Sequence, residues 1–173
     1  MEENKLIINR TWAMPNKHTF LIKPIKELLD RFAPFDKWFD PFCGFNSPAG
    51  LRNDLNPEIE HAQFHLPADV FCSQLEDDKH DGCLFDPPYN LNQTKECYKS
   101  IGLKLNQGDA LYFPTNVKNV AAKKVKIGGY VISFGWDTIG FGKKRGYELL
   151  EVLDICHGGK HYDTLITIEK RII

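Results

Sequence analysis

Two short apolar runs that end in the same way constrain this chain more than anything else in it. Trp38-Phe39-Asp40-Pro41 and Cys83-Leu84-Phe85-Asp86-Pro87 each pair an uninterrupted hydrophobic stretch with an aspartate and then a proline. An unbroken apolar run suits a strand covered on both faces, the condition of strands in a parallel sheet. Proline cannot continue a central strand, so the backbone must leave the sheet directly after each aspartate. Both carboxylates then belong to one edge of the sheet. Ligands of such sheets sit there, outside the carboxyl ends of the strands.

The remaining segments alternate between helix and strand. Pro24 stands where a helix opens, and Ile25, Leu28, Leu29 and Phe32 then fall on one helical face. A second strand is expected over 51–55 and a weaker third near 63–66. Another helix opens at Pro114, carries Val117, Val120, Ala121 and Val125 on one face, and stops at Gly128-Gly129 before the strand Tyr130-Val131-Ile132-Ser133-Phe134. Two long strands, 147–156 and 164–170, flank the turn His157-Gly158-Gly159-Lys160-His161 and form an antiparallel hairpin. The expectation is a three-layer α/β domain, its sheet mostly parallel, with the C-terminal hairpin adding an antiparallel strand at or near the edge. A single domain over 1–173 is expected, with no separate recognition domain.

Asp86-Pro87-Pro88-Tyr89 is the most specific short stretch. The exocyclic amino group of adenine is a poor nucleophile, because its lone pair is delocalised into the ring. A site that accepts both amino hydrogens draws the nitrogen toward tetrahedral geometry and frees that pair for attack. Asp86 offers one acceptor and the Pro87 carbonyl a second, held outward by two residues with fixed φ and no N–H. Tyr89 offers a flat ring for a base turned out of its stack. Positioning and stabilisation of developing charge are enough; Asp86 need not be a strong base.

In these residues the chain resembles the S-adenosylmethionine-dependent DNA amino-methyltransferases, which act on N6 of adenine or N4 of cytosine. In its compactness it is similar to the orphan adenine methylases of bacteriophages and prophages. The resemblance implies a Rossmann-like methyltransferase fold, S-adenosyl-L-methionine as cofactor, and catalysis by Asp86, Pro87, Pro88 and Tyr89. Asp40-Pro41-Phe42-Cys43-Gly44 matches the family's glycine-bearing cofactor loop. Asp54 and Leu55 match the acid that holds the cofactor ribose and the apolar neighbour that packs on its adenine. Asp69 and Val70 are the candidates for reading the cofactor's adenine amino group, and Lys23-Pro24 fits the segment that grips its methionine end. Two departures stand out. Asn46 replaces a second glycine, and only six residues separate Gly44 from Leu51, where a parallel crossover takes a dozen or more, usually with a helix.

DNA is the implied partner, with a homodimer or an additional specificity subunit left open. The formal net charge is −1, so the chain as a whole does not attract nucleic acid. Candidates for local contact are Lys95, Tyr98 and Lys99, together with Lys104, in the non-periodic stretch 90–108, which reads as a strand-gripping loop. Two basic clusters, Lys118/Lys123/Lys124/Lys126 and Lys143-Lys144-Arg145, add to them. Five scattered cysteines without a Cys-x-x-Cys pair suggest neither a disulfide framework nor a zinc finger, and no metal is expected. Trp12, Trp38 and Trp136 read as core or core-edge residues. No apolar run approaches a membrane span and Met1–Lys5 lacks a signal-peptide pattern, so a bacterial or phage-infected cytoplasm, near the nucleoid, is expected. The alternatives open at this point are cytosine N4, adenine in RNA or a protein glutamine as methyl acceptor, and a non-catalytic cofactor-binding subunit of a larger complex.

Overall fold

The computed structural model describes residues 5–16, 18–104 and 106–173. Its strands are β1 (Ile7–Trp12), β2 (Trp38–Asp40), β3 (Leu51–Arg52), β4 (His80–Phe85), β5 (Val125–Gly135), β6 (Tyr147–Cys156) and β7 (Thr164–Arg171). They form one seven-stranded sheet in the order β1-β6-β7-β5-β4-β2-β3. β7 is antiparallel to β5 and β6, while the pairs β1–β6, β5–β4, β4–β2 and β2–β3 are parallel. The helices are α1 (Lys23–Asp30), α2 (Ala68–Gln74), α3 (Leu91–Ser100) and α4 (Gln107–Ala121). This is the three-layer, mostly parallel α/β architecture expected from the strand pattern.

Alternation along the strands builds the layers, since successive side chains point to opposite faces of a sheet. Trp38, Leu84, Ile132 and Phe134 pack with Ile25, Leu28 and Leu29 of α1. Their neighbours Phe39, Cys83, Phe85 and Val131 pack with Phe71 of α2 and with Val117 and Ala121 of α4. The Trp38 indole packs onto the sheet because its register partner is Gly82. A Cβ on Gly82 would lie 2.5 Å from that ring. Gly82→Ala is therefore expected to destabilise the fold by ~1–3 kcal/mol, seen as a lower urea midpoint at unchanged slope. An unchanged midpoint would mean that Trp38 moves aside at no cost.

Departures from expectation concentrate where a segment has no buried face of its own. Nothing in the sequence marks β1, which is exposed along most of its length. It pairs with β6 and becomes the edge, so β7 of the hairpin lies inside the sheet rather than near its rim. Arg10 pins β1 in place, with Nε 3.1 Å from Asp154 and 2.7 Å from Cys156 Sγ. The third expected strand shrinks to one parallel bridge between Asn53 and Phe64, and β3 covers only the start of 51–55. β5 begins at Val125 and passes through Gly128-Gly129, where its register with β4 shifts. α4 starts at Gln107 and carries Pro114 inside it rather than at its opening, so the helix lacks the hydrogen bond that residue 114 would donate. Most of 90–108 is helical rather than a loop, because the Asn90 side chain caps α3 by accepting from Gln93 N–H at 2.9 Å. Position 105 of that stretch, like positions 1–4, lies outside the described residues.

Candidate active site at the carboxyl ends of β2 and β4

Asp40 ends β2 fully buried. Its carboxylate accepts from Phe42 N–H at 2.8 Å and from the Ser47 hydroxyl at 2.6 Å, which folds the crossover 41–50 into a compact turn without a helix. Gly44 takes φ +51° in that turn, a conformation glycine adopts without Cβ strain, and its N–H reaches Asp54 Oδ2 at 3.1 Å. The other Asp54 oxygen accepts from Asn56 N–H at 2.9 Å. Asn53 is buried and joins the two sides of the site, donating to the carbonyls of Pro41 at 3.1 Å and Leu66 at 3.0 Å.

Burial pushes the Asp40 carboxyl up to about 8, with the nearby charges of Asp86 and Asp54 adding to the shift. The folded state thus holds a proton that the unfolded chain releases in the ordinary carboxylate range. Stability from this group falls as pH rises from that range to about 8 and is level above it. Asp40→Asn keeps the size and the acceptor for Phe42 N–H but removes the titration. Calorimetric melting should show the variant gaining on the wild type as pH rises toward 8, and no gain near the ordinary carboxylate range. A difference constant across pH would mean that Asp40 titrates normally.

A cavity of 480 Å³ lies above these loops, within the range of small-molecule sites. Its wall includes Pro41, Phe42, Asp54 and Leu55 from the cofactor candidates and all of Asp86-Pro87-Pro88-Tyr89. Thr19, Asn53, Leu66, Gln93, Tyr98 and Phe113 complete most of the remainder. Tyr89 Oη donates to Asp86 Oδ1 at 2.6 Å, and Thr19 gives the same carboxyl a second side-chain hydrogen bond. Desolvation nonetheless holds Asp86 above the ordinary carboxylate range. It also raises the Tyr89 phenol, which stays protonated as the donor. Tyr89 therefore fixes Asp86 besides offering a ring, and its own N–H is held by Gln93 Oε1 at 2.7 Å.

Other candidates fall away from the cavity. Cys43 is buried with Ile59 and Ala62, and with Gly44 and Asp40 it shapes the loop without lining the cavity. Asp69 is exposed in the first turn of α2, where a carboxylate suits the helix dipole. Val70 is exposed as well, and the preceding residue Ala68 reaches the wall instead. Lys23 faces solvent, 3.8 Å from Glu27, and Thr19 takes the place on the wall that Lys23 was expected to fill. On α3, Tyr98 turns inward and packs edge-on against Phe113 at 5.9 Å. Lys95 and Lys99 do not line the cavity. Lys118 is tied to Gly140 O at 2.8 Å, Lys124 is buried against Asp77 at 2.6 Å, and Lys126 pairs with Asp81 at 2.7 Å. The cations from Lys123 to Lys126 flank the start of β5, and Lys143-Lys144-Arg145 precedes β6, so both lie at the end of the sheet away from the aspartates.

Sequence reasoning missed Trp136. It follows Gly135, the last residue of β5, and is 36% exposed rather than in the core. Its ring meets Tyr89 at 5.6 Å and Tyr162 at 4.6 Å. An aromatic directly after a strand-ending glycine at the carboxyl edge is the signal that could have found it. Trp12 is likewise exposed, at 62%, whereas Trp38 is core.

Sequence comparison finds no matching family model and no matching curated protein. Solved structures do match. TrmN from Thermus thermophilus aligns with a TM-score of 0.59 at 15% identity, over 88% of this chain and 49% of that one. HI0767 from Haemophilus influenzae, provisionally named a methylase, gives 0.54 at 11% identity over 87% of this chain and 98% of its own. YhhF from Escherichia coli, provisionally named a methyltransferase, gives 0.50 at 11% over 85% and 83%. The chain thus spans about half the length of TrmN and nearly all of HI0767. At such identities the likeness establishes the fold, and the fold is the Rossmann-like methyltransferase fold.

Proposed function

We propose that this chain transfers a methyl group from S-adenosyl-L-methionine to the N6 amino group of adenine in DNA. The observation that carries the reading is one cavity shared by Asp54-Leu55 and Asp86-Pro87-Pro88-Tyr89. A pocket suited to a nucleoside cofactor opens directly onto acceptors suited to an amino group. When bound, the cofactor supplies an electrophilic methyl carbon on a sulfonium.

The residues present fit that group. Asp54, already oriented by the Gly44 and Asn56 amides, suits a pair of ribose hydroxyls. Phe42, Leu55, Leu66 and Phe113 offer apolar contact to a purine. Asp54 and Asp86 both line the cavity, so a sulfonium bound there would have carboxyl groups on its wall. Asp86, steadied by Tyr89 and Thr19, and the Pro87 carbonyl hold the two amino hydrogens and localise the lone pair on nitrogen. Because Asp86 sits above the ordinary carboxylate range, it can take the proton that nitrogen sheds on methylation and pass it to water. Among the described residues, no helix is long and apolar enough to cross a membrane.

The test is incubation of purified protein with cofactor labelled in the methyl group and with DNA, RNA or protein in separate reactions. Label in DNA is the expected result, and label confined to RNA would move the target to adenine in RNA. Label confined to protein would move the target to an amide. Cofactor binding by calorimetry with no label in any acceptor would mark a non-catalytic module.

A further inference from the structure

Three cavities at the carboxyl edge of the sheet share their walls. The catalytic cavity and a second one, of 350 Å³, have Thr19, Tyr89 and Gln93 in common. That second cavity shares Pro15, Asn16 and Ile22 with a third, of 530 Å³, beside Trp12 and Met14 at the end of β1. Adjoining in this order, they run from the catalytic tetrapeptide to the added edge strand and outline a groove. Its middle section is lined by Trp136, Tyr162, Lys160 and His161, and no carboxylate is on its wall. Trp136 and Tyr162 lie 4.6 Å apart in a tilted stack, and Tyr162 is 72% exposed. The ring series Tyr89, Trp136, Tyr162 thus leads away from Asp86 and ends open to solvent.

The platform is anchored. His157 is buried at the start of the turn that carries Lys160, His161 and Tyr162. One ring nitrogen lies 2.9 Å from Ala13 O, just after β1, and the other 2.8 Å from Thr164 Oγ1, at the start of β7. Arg10 of β1 reaches Asp163 of the same turn at 3.6 Å. The added strand therefore holds the turn against the catalytic side of the sheet.

We infer that this groove is the track of an unpaired nucleic-acid strand, with a base flanking the target stacking on Trp136 and Tyr162 and phosphates meeting Lys160 and His161. The inference rests on the proposed methyltransferase function and adds to it the path and the strandedness of the polymer. Stacking needs an exposed base face, which single strands present and a duplex hides. Few cations and several rings favour stacking over charge, consistent with a chain of net charge −1. Lys95 and Lys99 on α3, and the cations Lys123, Lys124, Lys126 and Lys143-Lys144-Arg145 at the opposite end of the sheet, take no part.

Fluorescence anisotropy tests this with labelled single-stranded DNA, single-stranded RNA and duplex DNA of one adenine-containing sequence. Single strands should bind the wild type at least about tenfold tighter than the duplex, and Tyr162→Ala should weaken them about tenfold. Lys160→Ala should weaken binding of every sequence and lower the salt slope by about one, while Lys99→Ala leaves binding unchanged. The tighter of the DNA and RNA arms identifies the natural polymer. Because Tyr162 is exposed, its variant should melt with the wild type and bind cofactor equally. Single strands bound no better by wild type than by Tyr162→Ala, or a duplex bound more tightly, would overturn the groove. Absence of cofactor binding and of methyl transfer would instead remove the methyltransferase reading on which it rests.

Discussion

Asp86→Ala is expected to lower the rate of methyl transfer by about 10²–10⁴-fold while cofactor affinity stays close to that of the wild type. The separation follows from where the carboxyl sits. It belongs to the cavity wall with Pro87 and Pro88, and its hydrogen bonds come from Tyr89 and Thr19 rather than from the Asp40–Asp54 turn. Removing it strips the amino group of one acceptor and leaves the nitrogen lone pair in the ring. The wild-type pH profile carries the same signature. Acceptance requires the ionised form, so activity should rise with pH through a midpoint above the ordinary carboxylate range, in the direction that burial dictates. Asp86→Asn retains a carbonyl acceptor but cannot take the proton, and its profile should lose that limb. Rate measurements across pH, with calorimetric titration of the cofactor, check both points. Equal losses of rate and affinity in Asp86→Ala would place the residue against the cofactor instead.

Asp54→Ala should weaken cofactor binding by ~1.5–3 kcal/mol, the worth of hydrogen bonds to a charged group, or about 10- to 150-fold. At saturating cofactor the rate of transfer should be near that of the wild type. Part of the loss comes through the loop, because Asp54 Oδ2 also orients the Gly44 amide at 3.1 Å. Asp54→Asn, which keeps one acceptor in place, should lie between the two. Calorimetry returning an unchanged affinity would reduce Asp54 to a turn residue that serves Asn56 N–H alone.

The layers of this fold were legible because β2, β4 and β5 carry apolar runs that both faces of a sheet must cover, and because β6 and β7 are two long strands about a Gly-Gly turn. β1 was not, because Ile7, Ile8 and Trp12 stay exposed and have no pattern of burial to betray them. α3 was hidden for a related reason: Thr94 is its buried residue, so no apolar stripe announces a helix. Within the site, Asp40, Asp54 and Asp86 could be placed together because each ends or follows a strand at one edge. Lys23 and Asp69 could not be told from residues that open a helix, and both face solvent at helix starts. The lysine clusters show the other limit. Sequence proximity gathered cations that tertiary partners then committed elsewhere, Lys124 to Asp77 and Lys126 to Asp81. Trp136 and Tyr162 are far apart in sequence and meet because β7 runs antiparallel beside β5, with Leu165 opposite Gly135.

The position of the methyl group on the product tests the central claim most directly. After reaction with labelled cofactor, the polynucleotide is digested to nucleosides and resolved by chromatography and mass spectrometry. The account predicts that the methyl is carried on the exocyclic N6 of adenine and that the same peak vanishes for Asp86→Ala. A methyl on a ring nitrogen, a ring carbon or the sugar, or an undiminished N6 product from Asp86→Ala, would contradict it.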